Sequence, residues 1–179
     1  SIVSKRIRPL SNFDNPLAVT TGDFDFDGRH EIAMAYLTGP KRLNIDVFRY
    51  SGVKTGAGNR FTLTRVGSGS VELAPEFPLN WIANLSVASG DFNGDGRDEL
   101  AIGTATYDDQ GGVDGHARVF QFTGSDPLGV NQVSAYTVRS GSAAGTTGRV
   151  QVAAGLFKYV PAAGYDLNRR QLAVAYSKD

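Results

Sequence analysis

At 179 residues the chain can bury a core and falls within the size range of one ordinary domain. Its 18 basic and 18 acidic residues balance, so no basic field draws it towards nucleic acid or an anionic membrane surface. With no cysteine there is no disulfide framework, thiolate metal site or cysteine nucleophile, and no apolar run is long enough for membrane insertion.

The predicted elements, in chain order, are all strands. The opening "SIVSKRIRP" reads as an outer strand belonging to a preceding unit, which assigns residues 1–16 to the trailing strand of that unit. Leu17 to Phe24 then reads as a strand, followed by a tight polar loop, a second strand from Ile32 to Leu37, a third from Leu43 to Tyr50 and a fourth from Phe61 to Val66. Each is a short run rich in β-branched and aromatic residues between Gly and Pro clusters, and no segment sustains a helical period.

The unit then repeats. "LAVTTGDFDFDGRHEIAMAY" (17–36) aligns without a gap on "LSVASGDFNGDGRDELAIGT" (85–104), an offset of 68 residues, and "VFRYSG" (47–52) corresponds to "VFQFTG" (119–124). A third copy starts as "VQVAAGLF" (150–157) and resumes as "QLAVAY" (171–176). Four antiparallel strands in each unit is the arithmetic of a β-propeller blade. The expected fold is therefore all-β: one propeller segment with a blade at 17–84, a second at 85–149 and the start of a third at 150–179. About two full blades with parts of two others make an incomplete propeller. A fragment of a longer polypeptide is the favoured explanation, ahead of a ring completed by partner chains, since open blades expose sheet edges.

The chemistry concentrates in the loops between the first and second strands. In "GDFDFDGRHE" (22–31), Asp23, Asp25 and Asp27 stand at loop positions 1, 3 and 5, and Gly28 at position 6 permits a sharp reversal. Arg29 would offer its carbonyl at position 7 and Glu31 would close the shell at position 9. The opening is like that of an EF-hand, but the twelfth position, where an EF-hand has Glu, is Met34. The second loop repeats the plan with Asp91, Asn93, Asp95, the Arg97 carbonyl and Glu99, while His30 and Asp98 at position 8 are expected to face solvent. All-oxygen donor sets suit Ca2+ better than magnesium, so two calcium sites are expected, the second weaker because Asn93 replaces a carboxylate. The third copy has Leu156 at position 1 and Gln171 at position 9 around a longer insert containing Asp166 and Asn168, and no metal is expected there. Asp, Asn and Gly are also ordinary turn residues, but two acidic loops in register point to a cation.

"GDFDFDGRHEIAMAY" and "GDFNGDGRDELAIGT" resemble FG-GAP repeats, also described as VCBS repeats, which occur in the β-propeller of integrin α-subunits and in many secreted proteins. The resemblance covers both complete units and, weakly, the third. It implies calcium loops joining the first two strands of a blade, an extracellular or secreted location, and recognition through loops on one propeller face or in grooves between blades. The expected role is a calcium-stabilised module for extracellular binding or adhesion, with a protein or carbohydrate ligand and with the rest of the propeller, in the same polypeptide or in partner chains, as its structural partner. Candidate contact surfaces are "YDDQGGVDGH" (107–116), "APEFPLNW" (74–81) and "YVPAAGYDLN" (159–168); Trp81 and Tyr165 are the candidates for packing on a sugar face. Two alternatives remain: a scaffold within a larger secreted protein such as a toxin-complex subunit, and the propeller of a polysaccharide lyase. Against catalysis, the only histidines are His30 and His116, no nucleophile elbow or zinc-protease motif is present, and the regularly spaced carboxylates are already assigned to metal. The chain is not expected to be an enzyme.

Overall fold

The computed structural model describes residues 16–39, 42–55, 58–73, 81–107, 113–139, 148–156 and 170–178. Among them the chain is all-β, with three antiparallel sheets and no helix. The first sheet is a meander of β1 (Leu17–Gly22), β2 (Glu31–Thr38), β3 (Arg42–Thr55) and β4 (Gly58–Glu72). The second repeats that order with β5 (Trp81–Gly90), β6 (Glu99–Tyr107), β7 (Val113–Thr123) and β8 (Gly129–Arg139), and the third pairs β9 (Gly148–Gly155) with β10 (Gln171–Lys178). Four-stranded antiparallel sheets in series are the form of propeller blades. Among the described residues they do not close into a ring.

The repeat seen in the sequence is also a repeat of register. Gly22 pairs with Glu31 across the first loop, Gly90 with Glu99 across the second, and Gly155 with Gln171 in the third copy. All three units therefore leave and re-enter their sheets at equivalent positions, although the third loop is longer.

Alternation along each strand sends one face of the first sheet towards the second. Ala33, Ala35 and Leu37 of β2 and Leu43, Ile45 and Val47 of β3 are buried with Leu85, Leu100, Ile102, Phe120 and Phe122 of the second sheet in one core. The opposite face of the second sheet carries Ala88, Ala105 and Ala117, against which Val150 and Val152 of β9 pack. At this second interface alanines on one sheet meet valines on the next, which lets the backbones approach closely.

The strands are longer than their composition predicts. The expected fourth strand, Phe61 to Val66, runs in fact from Gly58 to Glu72, through two glycines that look like breakers. Their reason is spatial: a Cβ on Gly67 would lie 2.8 Å from Leu128 Cβ, and one on Gly69 would lie 2.7 Å from Val130 Cβ. The Leu128 N–H donates to the Val66 carbonyl at 2.6 Å at this crossing, so the second sheet is fastened to β4 of the first where the glycines leave room. Likewise β5 begins at Trp81, upstream of the expected start at residue 85. Apart from Pro16, the strand expected in residues 1–16 lies outside the described residues.

Candidate metal centre

Both acidic loops are wired by nearly the same hydrogen bonds. In the first, the Asp23 carboxylate at position 1 accepts the Gly28 N–H at 3.0 Å and the Asp27 N–H at 3.1 Å. Asp25 accepts the Asp27 N–H at 3.2 Å, Asp27 accepts the Arg29 N–H at 2.8 Å, and Glu31 reaches back to the Phe24 N–H at 3.3 Å. In the second, Asp91 accepts from Gly96 at 2.9 Å and Gly94 at 2.6 Å, Asn93 from Asp95 at 2.7 Å, Asp95 from Arg97 at 2.8 Å, and Glu99 from Phe92 at 2.8 Å. Asp and Asn supply side-chain acceptors to backbone N–H groups two to five residues on, so the sequence folds the turn onto its own carboxylates. The φ of Gly28 is 80° and that of Gly96 is 90°, the left-handed conformation that the reversal requires.

The first loop brings one oxygen from each of Asp23, Asp25 and Asp27 within 4.8 Å of one another. These oxygens form a donor set that fits a hard divalent cation. Glu31 is fully buried beside this trio but is turned to other partners: its Oε2 takes the Phe24 N–H and its Oε1 takes Arg49 Nε at 3.4 Å. Burial raises the Glu31 pKa, the neighbouring Asp25 charge adds to the rise, and Arg49 opposes it. Arg29, expected to contribute a carbonyl, has an exposed side chain.

In the second loop Asp91 and Glu99 are buried while Asn93 and Asp95 are exposed. Asn93 Nδ2 lies 3.0 Å from Asp95 Oδ2 and 2.9 Å from Glu99 Oε1, so its amide nitrogen sits between the two carboxylates a cation would join. A half-turn of the amide would exchange this donor for the Oδ1 ligand. Glu99 has its pKa pushed up to about 7, mainly by burial and further by the charges of Asp95 and Asp91, against the Phe92 and Asn93 N–H groups. Arg97 turns away from the loop and donates Nη1 to the Gly124 carbonyl at 2.8 Å.

Three residues matter here in ways the sequence did not indicate. Arg49 on β3 pairs with Asp25 and Glu31 of the first loop and reaches the Ser125 carbonyl at 3.3 Å in the turn before β8. The aligned residue of the second unit, in "VFQF" against "VFRY", is Gln121, whose Nε2 donates to Asp95 Oδ2 at 3.2 Å. That Arg-to-Gln difference is legible in the repeat, but nothing in the sequence places either side chain at a loop.

Asp98 is the second. Expected to face solvent, it is half-buried and bonded to the preceding loop: its Oδ2 accepts the Asp23 N–H at 3.0 Å, and its own N–H donates to the Asp23 carbonyl at 2.9 Å. A Cβ on Gly22 would meet the Asp98 carboxylate at 2.9 Å, so the glycine before each loop makes space for position 8 of the next. The third copy repeats the contact, with the Arg170 N–H on the Asp91 carbonyl at 2.6 Å. His30, at the same position in the first loop, is exposed, as expected.

The third is Phe26, whose φ is 64° where the second loop has Gly94 at 87°. A side chain in that conformation costs about 1 kcal/mol. Its ring lies over Gly96, where a Cβ would come within 2.5 Å of Phe26 Cε2, and so bridges the two loops.

Phe24, at loop position 2, is fully buried against Phe122 of β7, with ring centroids 4.4 Å apart, and ties the first loop to the second sheet. Of the candidate ligand-contact residues, Trp81 opens β5 opposite Tyr107. Tyr165 lies outside the described residues, as do the whole of "YVPAAGYDLN", "APEFPLNW" apart from Trp81, and 108–112 of "YDDQGGVDGH".

Residues 83–120, which include most of β5, the second loop, β6 and most of β7, match the family model described as the FG-GAP repeat. The matched stretch carries the motif that the first unit repeats, and the resemblance read from the sequence is supported. No curated protein and no solved structure matches the chain. The FG-GAP repeat is a binding or structural module with a propeller-like fold. Among the described residues no helix is long and apolar enough to cross a membrane.

Proposed function

We propose that the chain is a calcium-stabilised FG-GAP propeller module of an extracellular protein, serving binding or adhesion. The observation that carries the reading is the convergence of Asp23, Asp25 and Asp27, with the same turn wiring repeated at Asp91, Asn93 and Asp95. Calcium would supply the charge that holds these carboxylates together; Asp23 and Asp91 already hold the turns in shape through their N–H contacts. Each loop joins the first two strands of its sheet, and Asp98 fastens the second loop to the first, so an ion there would clip strands and neighbouring sheets at once. An extracellular setting suits it, because weak all-oxygen sites fill at millimolar calcium. At a dissociation constant of about 0.1 mM and about 1 mM calcium, one site would add about 1.4 kcal/mol to stability.

In this reading the loops are structural, and recognition of a protein or glycan falls to other surfaces, with the rest of the propeller covering the open sheet faces. Equilibrium dialysis against calcium tests the first part. Two ions per chain are expected, falling to one in Asp27→Asn or Asp95→Asn and to none in the double variant. Uptake of no calcium would overturn the reading. Immobilised glycans and matrix glycoproteins, probed in calcium and in chelator, test the binding role: retention in calcium alone is expected, and no retention on any of them would favour a scaffold.

A further inference from the structure

Carboxylate counting makes the first loop the stronger cation site, because Asn93 stands where the first loop has Asp25. The structure adds a residue to that count. The guanidinium of Arg49 lies on Asp25 and Glu31, two of the four acidic groups, both of them buried. With Arg49 included, the first loop carries a formal charge equal to that of Asp91, Asp95 and Glu99 in the second, where Gln121 offers only an amide. The two ligand sets thus have the same net charge and reach it differently. The first has an internal cation attached to its ligands; among the described residues the second has none.

We propose that Arg49 is a tethered counter-ion that competes with calcium at the first loop, so that the second loop, despite having one carboxylate fewer, is the tighter site. The proposal rests on the calcium reading above. An ion entering the first loop must share or displace the guanidinium, and the structure offers the displaced group a place to go. Arg49 Nη2 already touches the Ser125 carbonyl at 3.3 Å, and Nη1 lies 4.0 Å from the exposed carboxylate of Asp126. Arg49 would then move from the loop towards the turn before β8 and stay paired throughout. At the second loop the corresponding adjustment is a half-turn of the Asn93 amide, which gives up the Asp95 N–H bond to Oδ1 but moves no charge.

The test is calcium titration by isothermal calorimetry on the full chain, with one loop silenced at a time at its exposed position 5. In an Asp95→Asn background, which reports the first loop, Arg49→Gln is expected to tighten calcium binding about tenfold, the scale of removing one like charge from the site. In an Asp27→Asn background, which reports the second loop, Gln121→Arg is expected to weaken binding by about the same factor. If Arg49→Gln left the affinity unchanged or lowered it, Arg49 would be orienting the ligands and not competing, and the proposal would fail. Should Arg49→Gln fail to fold, as circular dichroism would show, the Gln121→Arg arm decides alone. Absence of calcium binding in both single-loop backgrounds would overturn the proposed function itself; binding that ignores both swaps overturns only this inference.

Discussion

In the first acidic loop, buried carboxylates face a guanidinium; in the second, a buried carboxyl with a pKa near 7 faces amides. The backbone wiring is nearly the same in both, down to the bond from the glycine N–H at position 6 to the Asp at position 1. The difference teaches that the repeat conserves the geometry of a turn while leaving its electrostatics to be solved locally, by residues as distant in sequence as β3 and β7. It also separates what each loop needs in the absence of a cation. The first has part of its charge balanced by a guanidinium, whereas in the second burial and the neighbouring Asp95 and Asp91 charges push the Glu99 carboxyl up to about 7.

The sharpest contrast lies at loop position 2. Phe24 is fully buried on Phe122, and Phe24→Ala should cost about 3–5 kcal/mol in urea denaturation. Phe92 is half-buried, and Phe92→Ala should cost about half as much. Equal losses would mean that the two loops are anchored alike. Position 1 comes next. Asp91 is buried and accepts two backbone N–H groups, so Asp91→Ala should lose about 2–3 kcal/mol in chelator, against about 1–2 kcal/mol for the more exposed Asp23→Ala.

A pH series addresses the charge balance directly. The Glu99 carboxyl rises from its ordinary 4.5 to about 7 on folding, so between those values the folded chain binds more protons than the unfolded one. Its contribution to stability is fully present below pH 4.5 and is lost as pH rises towards 7. In chelator, the urea midpoint should therefore carry a downward component over that window, which Glu99→Gln removes. A slope unchanged by Glu99→Gln would place the proton elsewhere. The smallest effect expected is at position 8: Asp98→Ala removes the acceptor of the Asp23 N–H and should cost about 1 kcal/mol, while His30→Ala, at an exposed position, should be near neutral.

Much of the fold was legible because the repeat supplied two aligned readings of one unit. Strand order, strand pairing and the position of each acidic loop follow from the short runs of β-branched and aromatic residues and the D-x-D/N-x-D-G turns. Strand ends were not legible where glycine serves close packing: Gly67 and Gly69 read as breakers, and only the position of Leu128 and Val130 explains them as strand residues. At the candidate site the local acidic residues were visible, and Glu31 and Glu99 do return to their own loops. The roles of Arg49 and Phe26 were not, and Asp98 was expected to face solvent, because each acts across a gap that chain spacing cannot measure: a strand to a loop, a ring to a glycine, one loop to the next.

Whether the two loops are calcium clips is tested most directly by the thermal unfolding midpoint in millimolar calcium, in millimolar magnesium and in chelator, for the native sequence and for Asp27→Ala with Asp95→Ala. A rise specific to calcium that disappears in the double variant is the predicted result. A midpoint that is the same in all three conditions would contradict the account and leave the loops as acidic turns held by their own hydrogen bonds.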